Sequence, residues 1–133
     1  MNWDYIAGFF DGEGNINIVK NQVKRSHGIQ LRLYSSDEKV LLEIKNFLRK
    51  GQMYKVKRFP ATNYIYELTI TKKKNVQFFL KNILNRVIIK RTIVKYVLKN
   101  FNFERANNRE FDIPSFRNLN QKNKGNVVIP LTE

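Results

Sequence analysis

Two periodicities take turns along this chain. From Trp3 to Gly12 the apolar residues Trp3, Tyr5, Ile6, Ala7, Phe9 and Phe10 are dense enough for a buried helix. Asn2 or Asp4 can cap its start, and Gly12 with Gly14 ends it. Asn15 to Asn21 then alternates polar and apolar, as does Ile29 to Tyr34, and the loop between them through His27 and Gly28 makes the pair a hairpin. Ser35 to Glu38 has the Ser-x-x-Glu spacing of a capping box, ahead of the apolar stripe Val40, Leu41, Leu42, Ile44, Phe47 and Leu48, with Gly51 as the stop. Two more strands are expected near 53–58 and 64–70, across Pro60. Thr71 can cap a helix containing Val76, Phe78, Phe79, Leu80, Ile83 and Leu84, and a last helix lies within 86–101 behind the apolar run Val87-Ile88-Ile89. The order is α-β-β-α-β-β-α-α, an α+β class with paired strands. Residues 1–103 read as one core domain, and 104–133 as a polar, asparagine-rich tail or loosely packed appendage.

Alternate side chains of a strand share a face. Ile16 and Ile18 then oppose Asn15, Asn17, Val19 and Asn21, while Ile29, Leu31 and Leu33 oppose Gln30, Arg32 and Tyr34. In the third strand Lys55 and Lys57 stand outward if Tyr54 and Val56 face the core, with Arg58 at the strand end. The outward set is asparagine, glutamine, arginine, lysine and tyrosine, side chains that pair with base edges and phosphates. An ordinary solvated sheet face would show a similar pattern, so charge has to weigh in.

It does. The chain has 133 residues, with 25 lysines and arginines against 11 acids, for a net charge of +14. Self-repulsion on that scale is relieved by a polyanion, whose neutralised phosphates release condensed counterions. No apolar stretch approaches the roughly 18 residues of a membrane span. The bases are spread along the chain, so nucleic acid is expected as the partner and a membrane is not. The absence of cysteine excludes disulfides, thiolate chemistry and zinc knuckles, and the lone His27 reads as a hairpin-loop residue. Chemistry must rest on carboxylates, lysines or a metal held by oxygen. A motif-bearing helix starting almost at Met1 leaves no room for a cleavable signal peptide. Frequent lysine, asparagine and isoleucine would suit an A/T-rich organellar or microbial genome, without identifying the compartment.

The segment Ile6-Ala-Gly-Phe-Phe-Asp-Gly-Glu-Gly14 changes the picture. Gly8 and Gly12 lie four apart, on one helical face, with Ala7 alongside. Each glycine costs a helix interior roughly 0.5–1 kcal/mol against alanine, so two of them suggest that another backbone comes close. Asp11 and Glu13 follow that face. If two such helices crossed at a two-fold axis, both Glu13 side chains would converge into a cage for a hard divalent cation.

These nine positions resemble the LAGLIDADG motif of homing endonucleases encoded in introns and inteins. Ile6 replaces the leading leucine, Gly12 an alanine, and Glu13 the second aspartate. The element order over about 3–101 also resembles the family core, an α-β-β-α-β-β-α unit with a saddle-shaped antiparallel sheet. The resemblance implies that Glu13 is the catalytic carboxylate that binds Mg²⁺ or another hard divalent cation, with the Gly14 carbonyl as a backbone ligand. It implies a dimer interface of Ala7, Gly8, Asp11 and Gly12, with Asp11 capping the partner's helix. Single-motif members act as homodimers, and this chain has one copy. Ile88-Ile-Lys-Arg91 resembles the segment that carries an active-site lysine, which makes Lys90 a second catalytic candidate beside the alternative of a surface lysine. Where many relatives have a glutamine after the second strand, this chain has Ser35 and Ser36, so the water-positioning group is unassigned.

The function so implied is site-specific cleavage of double-stranded DNA at a long near-palindromic site, by metal-dependent phosphodiester hydrolysis. The DNA contacts would come from Asn15, Asn17, Val19, Asn21, Gln30, Arg32, Tyr34, Lys55, Lys57 and Arg58. The competing readings are an intron-RNA maturase, a cleavage-inactive DNA binder on the same scaffold, and a basic structural domain that would be monomeric.

Overall fold

The computed structural model describes residues 1–21, 26–57, 63–104, 108 and 110–122. Helix α1 (Trp3–Glu13) starts at Asn2, whose Oδ1 accepts the Tyr5 N–H at 2.8 Å. It leads into the antiparallel pair β1 (Gly14–Asn21) and β2 (Ser26–Ser35). Helix α2 (Glu38–Leu48) follows, then β3 (Gln52–Lys57), β4 (Tyr64–Ile70), α3 (Lys73–Ile83) and α4 (Arg91–Asn100). The strands form one antiparallel sheet in the order β1-β2-β4-β3. This is the expected element order, with boundaries shifted by a few residues.

The local differences have simple causes. Asp37, not Ser35, is the N-cap of α2, accepting from the Lys39 N–H, while Ser35 Oγ accepts from the Asp37 N–H one turn earlier. Helix α2 ends at Arg49 in the left-handed region and Gly51 at φ +98°, where a side chain would meet Leu68 and the Thr69 carbonyl. Helix α3 has no side-chain cap, since Lys72 and not Thr71 holds that position. His27 is not in a loop but inside β2, opposite Lys20.

One face of the sheet carries the helices. Ile16, Ile29, Leu31, Leu33, Leu68 and Ile70 are buried there against Ile6, Ala7 and Phe10 of α1, Leu41, Ile44 and Leu48 of α2, and Val76, Phe79, Leu80 and Ile83 of α3. Trp3 meets Phe47, Phe78 and Phe79 edge-on at ring distances of 5.6–5.7 Å, which wedges the start of α1 between α2 and α3. No helix among the described residues is long and apolar enough to cross a membrane.

The segment expected as a tail behaves differently in its described part. Helix α5 (Ile113–Lys122) packs on α4, with Phe111, Ile113 and Phe116 buried alongside Phe101 and Phe103. Asn108 is buried too, accepting from the Asn102 N–H and donating to the Asn102 carbonyl. Three apolar side chains within a polar stretch, Phe111 ahead of α5 and Ile113 and Phe116 on one side of it, are enough to extend the core.

Candidate active site

The helical period sorts the motif residues into two opposite sets. Ile6, Ala7 and Phe10 point into the core and are fully buried. Ala7, expected at a dimer interface beside the glycines, is therefore packed inside its own chain. At 100° per residue it lies on the far side of the helix from Gly12. Gly8 and Gly12 lie on the opposite, exposed side, and a Cβ added to either would meet nothing within 4 Å. Tyr5 and Phe9 share that side, stacked at 6.4 Å. Gly14 is the reverse case. Its ideal Cβ would sit 2.2 Å from Phe10 Cδ2, so only glycine lets the chain pass from helix to strand against that ring.

The two acids that follow have separate fates. The Asp11 carboxylate reaches the turn before α4 in its own chain. Oδ2 accepts the N–H groups of Ile88 and Ile89 at 2.7 and 3.0 Å, and Oδ1 accepts that of Lys90 at 2.8 Å. The cap expected across an interface is thus made within the chain, where these three amides would otherwise be orphaned ahead of the helix. Partial burial works to raise the Asp11 pKa, but the three amides and the Lys90 charge outweigh it and hold the group below its ordinary value. Lys90 completes the clasp: its Nζ donates to the Asp11 carbonyl at 2.6 Å. That places an ammonium at the negative end of α1, 5.8 Å from the Phe10 ring centroid. Burial pulls the Lys90 pKa below its ordinary value, although Asp11 and Glu13 act to raise it.

Glu13 remains exposed at the end of α1, close enough to Lys90 to feel its charge. It makes no hydrogen bond or ion pair among the described residues. The same clasp pushes Ile88 and Ile89 outward, 79% and 57% exposed, the most exposed of the large apolar side chains. Their isolation in the chain is not explained by folding of one copy.

The outer face of the sheet follows from register. Asn15, Asn17 and Val19 of β1 pair with Arg32, Gln30 and Gly28, as the alternation predicts. Asn21 ends the strand opposite Ser26, and Arg58 lies outside the described residues. In β3 the expected facing is inverted. Met53 pairs with Leu68, which is buried, so Lys55 and Lys57 share the helix-side face with Tyr66 and Tyr64. Lys55 Nζ sits 4.3 Å from the Tyr64 ring centroid, in keeping with that. Tyr54 and Val56 instead join the outer face, opposite Glu67 and Ile65. The edge position of β3 permits this, because the helices do not cover it fully and all but Met53 stay exposed.

A shallow depression of about 530 Å³ opens on the outer face, with Gln30, Arg32, Tyr54, Val56, Glu67 and Thr69 around it. Lys55 and Lys57 also border it, although the pleat assigns them to the other side. Arg32 is held there, its Nε 3.2 Å from Glu67 Oε1 and its Nη2 donating to Gln30 Oε1 at 3.0 Å.

Residues 6–98 match the family model described as LAGLIDADG endonuclease, which is more than half of the chain. The chain belongs to the LAGLIDADG endonuclease family. No curated protein matches it by sequence. The fold is shared with solved structures at lower identity. The homing endonuclease I-CvuI, in complex with its target in the presence of Ca, is 24% identical at a TM-score of 0.64, over 92% of this chain and 79% of that one. The homing endonuclease I-TnaI is 24% identical at a TM-score of 0.57, over 74% and 70%. The meganuclease I-SmaMI, bound to uncleavable DNA, is 18% identical at a TM-score of 0.63, over 90% of this chain but 44% of its own.

Within this LAGLIDADG chain, no group of three or more acidic, histidine or cysteine side chains comes together among the described residues. Asp11 is saturated with amide donors, which leaves Glu13 as the carboxylate at the end of α1 suited to a hard cation. Sequence reasoning overlooked Glu67, Tyr54, Val56 and Thr69 on the outer face. The alternation in Tyr64-Ile-Tyr-Glu-Leu-Thr-Ile70 offered the signal for two of them, since Glu67 and Thr69 interleave with the buried Leu68 and Ile70.

Proposed function

We propose that this protein is a site-specific double-strand DNA endonuclease that acts as a homodimer by metal-dependent phosphodiester hydrolysis. The observation that carries the reading is the exposed Glu13, without a hydrogen-bond or ion-pair partner among the described residues, beside Lys90 at the foot of a helix whose Gly8 and Gly12 face open space. One carboxylate makes a poor cage for a divalent cation. Two brought together by a two-fold axis make a credible one, with the Gly14 carbonyls as added oxygen donors. Gly8 and Gly12 allow a second backbone to approach α1, and Ile88 and Ile89 give the contact apolar area to bury. Asp11 supports that interface indirectly, by fixing the turn that presents those isoleucines. That the chain spans less than half of I-SmaMI, while covering most of itself, suits a unit used twice.

Mg²⁺ or a similar ion bound at Glu13 would supply Lewis-acid stabilisation of the charge on the reacting phosphate oxygens. The chain's own part is to present Glu13, to hold the Lys90 cation near that charge through the Asp11 clasp, and to lay the outer sheet face along the duplex. The net charge of +14 supplies affinity for the backbone without regard to sequence. A nearly palindromic target follows from two identical sheets.

The test is cleavage of a duplex library in Mg²⁺ with sequencing of the cut ends, beside light scattering of the free protein. Wild type should cut at one near-palindromic site and run as a dimer. Glu13→Gln should lower cleavage by about 10²-fold or more while binding persists. A monomer that binds intron RNA and leaves all DNA intact would sink the proposal in favour of a maturase.

A further inference from the structure

Arg32 stands apart on the outer face because its guanidinium is already positioned. Glu67 lies diagonally across on β4, two residues before Thr69, which is the direct partner of Arg32. Its Oε1 is 3.2 Å from Arg32 Nε, and the Glu67 side chain is only 14% exposed. Gln30, two residues back on the same face, takes a hydrogen bond from Nη2 at 3.0 Å. These contacts engage one side of the guanidinium. The N–H groups of Nη1 have no partner among the described residues, and the end edge of the planar fork can present one of them together with an Nη2 proton. Tyr54 of β3 borders the same depression, directly opposite Glu67, and its hydroxyl donates to Gln52 Oε1 at 2.5 Å. A carboxylate on a face meant for a polyanion is unfavourable unless it has a task. Here it holds an arginine that would otherwise lose rotamer entropy on binding.

We infer that Arg32 is a specificity-determining residue that reads a guanine in each half of the target, and that Glu67 is its positioning residue. A bidentate arginine matches the O6 and N7 acceptors on the major-groove edge of guanine and no other base as well. Glu67 sharpens the choice, since it opposes swinging of Arg32 to a nearby phosphate, where the contact would carry no sequence information. This inference rests on the DNA-cutting reading above, and it names which residues choose the sequence.

The experiment is selection of bound sequences from a random duplex pool without divalent metal, with wild type, Arg32→Ala, Arg32→Lys and Glu67→Gln in parallel. Affinities for the selected site and its single-pair variants follow by fluorescence anisotropy over a salt series. Wild type should enrich a guanine at one symmetric position per half-site. There, Arg32→Ala should erase a preference of about 5- to 150-fold. Arg32→Lys should not restore it, because a point charge lacks the fork. Glu67→Gln should flatten the same position, with overall affinity held or increased because a negative charge has left the face. A destabilised sheet would weaken every sequence alike and leave the preference intact, and that result would overturn the inference while the DNA reading stood. A wild type that enriches no sequence would overturn both.

Discussion

The end of α1 and the outer face of the sheet are a few residues apart in sequence and are built on opposite terms. At the helix end, one carboxylate takes three amides, a lysine doubles back onto the same residue, and Gly14 admits no side chain against Phe10. Asp11, Lys90 and Gly14 are each held by several neighbours, and Glu13 stands exposed beside them. On the sheet face the backbone is held by ladder bonds, but the outward side chains of Asn17, Val19 and Tyr34 have no hydrogen-bond or ion-pair partner among the described residues, while Arg32 is held by Gln30 and Glu67 and Tyr54 by Gln52. Asn15 even keeps its Oδ1 buried without a partner among the described residues, an acceptor open to a further donor. The contrast fits the proposed activity. Chemistry at a phosphate is the same at every target, so its groups can be over-determined, whereas base contacts must differ between relatives and are carried by positions that the fold does not need.

If that contrast is right, substitutions at the two regions should fail in different ways. The largest effect is expected at the cation. Lys90→Met should slow single-turnover cleavage by about 10- to 100-fold with DNA binding nearly unchanged. An equal loss in affinity would move Lys90 from the rigid region to the reading one.

Next is the clasp itself. Asp11→Ala should cost about 1–2 kcal/mol in urea unfolding at pH 7, because the exposed amides of Ile88 and Ile89 and the half-buried one of Lys90 lose a charged acceptor. The sign with pH follows from the lowered carboxylate pKa. A group depressed in the folded state stabilises fully above its unfolded value near 3.9 and loses that contribution as pH falls through the folded value. The gap between wild type and Asp11→Ala should therefore be widest at neutral pH and close progressively below about pH 4. A gap that stays constant down to pH 2 would show that the carboxylate charge is not what holds the turn.

The smallest effect has the opposite sign. Gly8→Ala meets open space in one chain, so it should raise the stability of the single copy by roughly 0.5–1 kcal/mol while weakening the dimer. Sedimentation at several concentrations would show both. A substitution that stabilises the chain without changing its assembly would remove the bare face of α1 from the interface.

Much of this is legible in the local pattern of the chain. The element order, the alternation in β1 and β2, the basic charge and the nine-residue motif all depend on local pattern, and period alone decides which residues share a side. Glu13, at the foot of α1, belongs to that readable set. Other features were decided only by tertiary packing. The alternation in β3 is compatible with either facing, and pairing of Met53 with the buried Leu68 chose the one that turns Tyr54 and Val56 outward. Ala7 adjoins Gly8 in sequence, yet the helix turns it into the core. Asp11 meets amides more than 75 residues away, and Glu67 meets Arg32 across a strand pair, contacts that no local spacing encodes. The physical reason is the same in each case. Local pattern follows from chain geometry within a few residues, whereas register and long-range capping are settled by which arrangement buries the most apolar surface and leaves the fewest backbone groups unpaired.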